Sequence, residues 1–520
     1  MDARTRTTFL VSLVVVALIG AAVGAAAARS PGTAPADEPG RAVVTQAPAP
    51  SSTPPPAAPS PTEDPKASYA GTLTLEPDHG RIGSEVQVRG AGFTAGAALE
   101  LAWQAFEGRW KLDPSDPANY KGREYTEVLR PLAAVTADAQ GAFTATFTVP
   151  DGFGFAHDVR VLEAGVLRNQ APFKVEMAVS ISPQSGPPGT PIEITAEGIG
   201  VTGLTRSWLV TYDNHFTGWL SSVTTNGHAR ATIPATGETG RHVLKVWHGS
   251  FTFPYLNPNQ SPDPTRPTFT LFFDVTDGTP VLPPAASSQA IVSDAAGVRP
   301  TASGPKAWAD RQEAVSGQRL VLNGADLPAG AKLEVSWQTQ TGVDTQIIGG
   351  GGQARPESEW PLGSVTPNAD GTFVLPFEVP VDKGGDHPVN VRLGDQLLAS
   401  ATVRVRPSAA ALSPARGPVG TVITISLTGV DDTDTGKIFM TVYDNAMLGY
   451  SCSVTGQGQI TISLAASGAP GWHFIDLYPG IYKGEDLKDV YNYRIPQLTY
   501  AEDHPGEDLP AFRFAFEVTP

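Results

Sequence analysis

Only one of the 520 residues is a cysteine, Cys452, so no intrachain disulfide can form and stability must come from packing. Basic charge is also scarce. Lys and Arg number 36 against 52 Asp and Glu, a formal net charge of -16, and no concentrated Lys/Arg surface of the kind that neutralises phosphates is visible. That excludes nucleic acid as a partner and leaves a solvated acidic surface. Long stretches rich in Ala, Leu, Glu and Lys are missing, whereas Gly (54) and Pro (48) are plentiful. Many short strands joined by turns are therefore expected in place of helices. The length exceeds what one core usually supports, so several domains of roughly 100 to 150 residues are expected.

One long apolar run is present. After Arg4 and Arg6, "FLVSLVVVALIGAAVGAAAA" (residues 9–28) is about long enough, at 1.5 Å per residue, to cross a bilayer core of ~30 Å. Two readings of residues 1–29 compete: Ala26-Ala27-Ala28 before Arg29 fits the cleavage site of a signal peptide, and the unbroken apolar length fits an anchor with its basic end inside. No Cys follows to accept a lipid, and either way the bulk of the chain is expected outside the cytoplasm. Residues 30–66 are Pro- and Ala-rich and too poor in large apolar groups to bury anything. Their prolines favour an extended stalk of up to ~3.1 Å per residue.

The remainder reads as a duplication. "VTYDNHFTG" begins at Val210 and "VYDNAMLGY" at Val442, placing Tyr212 and Tyr443 231 positions apart. "ISPQSGPPGTPIEITAEGIG" (181–200) and "LSPARGPVGTVITISLTGVD" (412–431) keep that offset through Pro183/Pro414, Gly186/Gly417, Gly189/Gly420 and Gly198/Gly429. His242/His473 and Trp247/Tyr478 keep it too, and "GAFTATFTVP" (141–150) matches "GTFVLPFEVP" (371–380). A second Pro/Ala/Ser-rich linker, 277–305, separates the halves. The chain thus divides into A (69–176), B (177–276), A′ (306–406) and B′ (407–520). Domains of this size, with alternating apolar runs between Gly/Pro turns, predict an all-β fold of four tandem immunoglobulin-like β-sandwiches.

"SPQSGPPGTPIEITAEG" and "DAQGAFTATFTVPDG" resemble the IPT/TIG-like and related immunoglobulin-like modules of bacterial surface proteins, in which a Ser-Pro-x-x-Gly-x-x-Gly-Thr turn precedes an alternating strand. The likeness covers B and B′ more fully than A, which opens "LEPDHGRIGSEVQV", and A′, which has only "AVSGQRLVL". It implies a fold and an extracellular setting but no ligand, because such sandwiches carry many functions.

Residues that could carry chemistry cluster in B and B′. Tyr212-Asp213-Asn214 and Tyr443-Asp444-Asn445 fit either a buried Tyr followed by a turn or a ligand-facing polar group. His242 and His473 sit on late strands, each five residues before an aromatic, Trp247 or Tyr478. A structural histidine is the plain reading of each; a hydrolase built on Asp213/His242 and Asp444/His473 is the sharper one. Zinc is disfavoured, since His248 has Pro479 as its counterpart. Cys452 is expected to be a free, buried thiol, with Ser221 as its counterpart and no nucleophile motif around it. "IIGGGG" (347–352) lacks the Gly-Lys-Ser/Thr of a phosphate loop, and "DDTDTG" (431–436) lacks EF-hand spacing.

Long insertions carry the aromatics: 107–129 in A, 249–269 in B and 479–512 in B′. Trp219, Tyr450, Tyr482, Tyr491 and Tyr493 join the two Tyr-Asp-Asn clusters, the histidines, Trp247 and Tyr478 as candidate ligand contacts, with domain-on-domain packing as the alternative. No catalytic residue, metal or cofactor is assigned. The partners expected are the membrane, through the N-terminal segment, and a surface protein or polysaccharide.

Overall fold

The computed structural model describes residues 69, 71–113, 116–201, 208–250, 253–254, 256–257, 260, 268–340, 357–431, 437–453, 457–481 and 495–520. The apolar run 9–28, the stalk 30–66, "IIGGGG" and Tyr482, Tyr491 and Tyr493 lie outside the described residues. Among the described residues there is no helix long and apolar enough to cross a membrane; a 3-10 turn spans Ala286–Ser288.

Four sandwiches follow one plan. In A, a three-stranded sheet runs Thr72–Glu76, Glu85–Ala91, Phe143–Thr148, and faces a five-stranded sheet in the order His79–Gly80, Val166–Val175, Phe155–Glu163, Ala98–Asp113, Asp116–Thr136. The chain changes sheets after its first strand. Its two-residue continuation then pairs parallel to the last strand, His79 with Lys174 and Gly80 with Val175. The same parallel pairing recurs at Ser185/Asp274 in B, Glu313/Arg404 in A′ and Arg416/Glu517 in B′. Every other pairing between named strands is antiparallel, as the turn-linked short strands predict.

Alternation makes these strands. In Glu85–Ala91, Val86 and Val88 are fully buried while Glu85 and Arg89 face solvent, the period-two pattern of a half-buried sheet. Each sandwich then builds its own core: Leu101, Trp103 and Phe173 in A; Ile192, Ile194 and Phe273 in B; Leu320, Trp337 and Val403 in A′; Ile423, Phe439 and Phe516 in B′.

The four sandwiches belong to one compact unit, Ser68–Pro520. A meets B through glycines that allow backbones to touch: Gly154 N–H donates to Ile199 O at 3.1 Å, and a Cβ on Gly154 would lie 1.8 Å from Gly198 O. A′ meets B′ in the same way, Gly384 against Gly429 O. The linker 277–305 is packed as well. Gln289 exchanges two hydrogen bonds with the Arg513 backbone, 2.8 and 2.7 Å, and Arg406 Nε donates to Ile291 O at 2.8 Å.

B and B′ also meet directly. Asn445 Nδ2 donates to Pro234 O at 2.8 Å and to Thr236 Oγ1 at 3.0 Å, and Arg513 Nη2 donates to Thr232 O at 2.8 Å. The end of the B′ insertion then lies along the outer strand of B, His215–Leu220, with Trp219 N–H on Pro496 O at 2.9 Å and Leu498 N–H on Trp219 O at 2.9 Å. This covers an edge that would otherwise expose unpaired backbone groups.

Candidate functional site

The two Tyr-Asp-Asn clusters are hairpin turns. Asp213 and Asn214 have φ of 46° and 66°, and Asp444 and Asn445 have 47° and 62°, the left-handed pair that a tight two-residue hairpin demands and that Asn and Asp tolerate best. Each Asp then reaches across to the neighbouring strand. Asp213 Oδ1 accepts from Val243 N at 2.9 Å and Oδ2 from His242 Nδ1 at 2.6 Å; Asp444 does the same with Phe474 N at 2.9 Å and His473 Nδ1 at 2.5 Å. The other ring nitrogen donates to a backbone carbonyl, Glu238 O at 2.8 Å for His242 and Ala469 O at 2.9 Å for His473. Both partners of the His473 ring are oxygens, an arrangement that suits a ring carrying a proton on each nitrogen.

The tyrosines complete the clamp. Tyr212 OH donates to Thr236 O and Tyr443 OH to Ser467 O, both at 2.8 Å. Their rings stack on His242 and His473, with centroids 5.5 and 5.6 Å apart. Burial raises the phenol pKa of both tyrosines. For His473, burial lowers the pKa, but the hydrogen bond and charge of Asp444 outweigh it and the net shift is upward.

The clamp extends to A and A′, where the sequence reading did not place it. His157 stacks on Trp103 at 4.8 Å and His387 on Trp337 at 4.7 Å. Their ring nitrogens reach Gln104 O and Phe153 O, at 2.7 and 2.8 Å, and Gln338 O and Lys383 O, both at 3.0 Å. In all four sandwiches Nε2 bonds the carbonyl four residues earlier. The signal was present as "FAHDVRV", "GRHVLKV", "GDHPVNV" and "GWHFIDL", which makes the repeat fourfold as well as twofold.

Of the remaining candidates, Trp219 (fully buried) and Tyr478 (2% exposed) lie between domains. The Arg123 guanidinium from A sits 5.1 Å over the Trp219 ring. Tyr478 OH reaches Asp476 Oδ2 at 3.0 Å and Thr232 O at 3.3 Å. Burial pushes the Asp476 carboxyl upward, with the Arg513 charge opposing. Trp247 is half-buried with Lys245 Nζ 5.4 Å from its ring centroid. Asn214 is exposed whereas Asn445 is buried against B. Tyr450 stays exposed, at 48%, on the outer B′ strand Ala446–Ser451, next to Leu448 at 56%.

Cys452 corrects an expectation: it is exposed. Its counterpart Ser221 is buried because Thr499 and Asp503 of B′ cover it, with Ser221 N donating to Thr499 Oγ1 at 2.9 Å.

The sequence reading also missed Asp503, at the end of the B′ insertion. Fully buried, it accepts Trp110 Nε1 of A at 2.9 Å and, from B, Val223 N at 2.7 Å, Thr224 N at 2.9 Å and Thr224 Oγ1 at 2.8 Å. Among the described residues no group of three His, Cys, Asp or Glu side chains is arranged to hold a metal ion.

No family model matches the chain, and no curated protein matches it. Solved structures do match, each at low identity. A tetra-tandem repeat from the extending region of a large adhesion protein is 10% identical, with 86% of this chain and 100% of that chain covered and a TM-score of 0.18. Salmonella alpha-2-macroglobulin reacted with methylamine is 10% identical over 87% of this chain and 31% of that one, TM-score 0.18. A putative membrane anchored protein from Corynebacterium diphtheriae is 11% identical over 64% and 91%, TM-score 0.16. The chain spans less than a third of the macroglobulin.

Proposed function

We propose that the chain is a non-catalytic cell-surface protein that presents loops and an outer strand of its immunoglobulin-like domains to a protein or polysaccharide. In this reading the N-terminal apolar segment holds it at the membrane and the Pro-rich stalk carries the sandwiches outward. IPT/TIG-like kinship, suggested by the Ser-Pro-x-x-Gly-x-x-Gly-Thr turns, belongs to the same proposal. One observation carries the absence of catalysis: both oxygens of Asp213 and Asp444, and both ring nitrogens of His242 and His473, are committed to backbone groups or to each other. A general base works through a lone pair within reach of a substrate proton, and here each imidazole nitrogen is already engaged by an oxygen of the turn or of the backbone.

Tyr450 and Leu448 supply the exposed contact area of the kind that anchors partners. A glycan and cell-wall array probed with the full chain tests the reading. Binding that falls at least tenfold in Tyr450→Ala supports it. Turnover in a glycosidase and esterase screen, lost in Asp444→Ala, would overturn it. A second reading, a purely structural spacer, is favoured by the use of Ile495–Asp503 for packing on B and on Trp110; unchanged binding with a lowered melting temperature in Tyr450→Ala selects it.

A further inference from the structure

The A′–B′ junction contains a buried polar constellation that the A–B junction lacks. Thr339 Oγ1 donates to Asp382 Oδ1 at 2.9 Å, and Gln457 of B′ places its Nε2 2.6 Å from the same oxygen and 3.2 Å from Thr339 Oγ1. Trp337 Nε1 holds Asp382 Oδ2 at 2.8 Å, Lys383 N holds Oδ1 at 2.8 Å, and His387 Nδ1 lies 3.4 Å from Oδ2. Thr339, Asp382 and His387 are 2%, 0% and 1% exposed. Gln457 has a φ of 48°, a conformation costly for a long side chain and held only when the surroundings demand it. Here the demand is visible: a Cβ on the next residue, Gly458, would lie 2.3 Å from Asp382 O.

The first half provides an internal comparison. Trp103 pairs with Val159 as Trp337 pairs with Val389, which aligns Ala105 with Thr339. The histidine-to-carbonyl bonds align Gly152 with Asp382, and the left-handed residues before Gly227 and Gly458 align Asn226 with Gln457. Hydroxyl, carboxylate and longer amide are all confined to the second half.

A hydroxyl on a carboxylate that is itself oriented by a third group is the arrangement of an activated nucleophile. The amide beside it is an electrophile. One amide C–N bond of about 1.33 Å separates Nε2 from Cδ, so that carbon lies within about 4.5 Å of Thr339 Oγ1; a shift of about 1 Å brings it to near-attack distance. We infer that Thr339 and Gln457 form an intramolecular ester that staples A′ to B′. Asp382 takes the hydroxyl proton as Oγ1 bonds to Cδ. The C–N bond of Gln457 then breaks, its electron pair leaves with nitrogen, and that nitrogen carries the proton away as ammonia. No oxidant, metal or water enters the balance, and the burial of Thr339 and Asp382 shields the product from hydrolysis.

Tryptic mapping of the full chain by mass spectrometry tests this directly. Peptides 333–383 and 438–483 should be recovered joined, lighter than their sum by one ammonia, and hydroxylamine should separate them. Thr339→Ser should retain the link, and Thr339→Val and Asp382→Asn should lose it. Peptides carrying Ala105 and Asn226 should be unlinked. Recovery of the two wild-type peptides separately, each at its unmodified mass, overturns the inference; so does a link that survives hydroxylamine.

Discussion

Trp110 of the first sandwich donates its indole N–H to Asp503 of the fourth across 2.9 Å and 393 positions of sequence. The contact is possible because the paired strands Ala98–Asp113 and Asp116–Thr136 of A carry Trp110 out to B′. Asp503 joins three domains, since its other donors are the Val223 and Thr224 backbone and the Thr224 hydroxyl of B. Truncating it leaves buried donors without acceptors, which costs more than the bonds themselves stabilise.

Asp503→Ala is therefore expected to lower unfolding free energy by about 3 kcal/mol or more. Trp110→Phe removes one of the donors and part of a buried indole but leaves the carboxylate and its other donors in place, so a smaller loss of about 1 to 2 kcal/mol is expected. Chemical denaturation of the two variants measures both. Equal, small losses would mean that the carboxylate does not tie the domains together.

The twin hairpin turns separate local from interdomain effects. Glycine accepts a left-handed backbone freely, so Asn214→Gly should change stability by a few tenths of a kcal/mol, while Asn214→Ala should cost about 1 kcal/mol. In B′ the same replacement also removes the Asn445 bonds to Pro234 O and Thr236 Oγ1. Asn445→Gly should accordingly cost about 1 to 3 kcal/mol more than Asn214→Gly. Matching losses at the two sites would show that the B–B′ contact contributes little.

Exposure of Cys452 predicts that the native chain reacts with a thiol reagent at the rate of the unfolded chain, within about tenfold. A cysteine placed at the covered counterpart, Ser221→Cys, should react only on unfolding. Fast native labelling of both would mean that B′ does not cover that part of B.

How much of this was legible follows from range. The all-β fold and its strands could be read because Val86/Val88 and Phe512/Phe514/Phe516 alternate locally, and the Tyr-Asp-Asn turns because Asn and Asp favour the left-handed backbone. Asp503 could not be found this way: its partners lie 279 to 393 positions away, and nothing in "YAEDHPGED" marks one acid as buried. Burial of Ser221 and exposure of Cys452 differ for the same reason, since a neighbouring domain decides it. The histidines of A and A′ were legible in principle, by aligning four strands in place of two.

The clamps finally predict how stability depends on pH. Asp444 raises the folded pKa of His473 against the opposing effect of burial. Its contribution is then fully present below the unfolded value of about 6.5 and is lost as pH rises through the higher folded value. His157 has the opposite sign. Burial pushes it down and outweighs the carbonyls of Gln104 and Phe153, so its contribution is present above the unfolded value and is lost as pH falls through the folded one. The destabilisation caused by His473→Gln should therefore be largest near pH 5 to 6 and shrink by pH 9, while that of His157→Gln should grow from low pH to high. Melting temperatures of the full chain and both variants across this range give the two differences. A His473→Gln penalty that is the same at every pH would show that no proton is held more tightly in the folded clamp, and would remove the charged Asp444–His473 pair from the account of the turn.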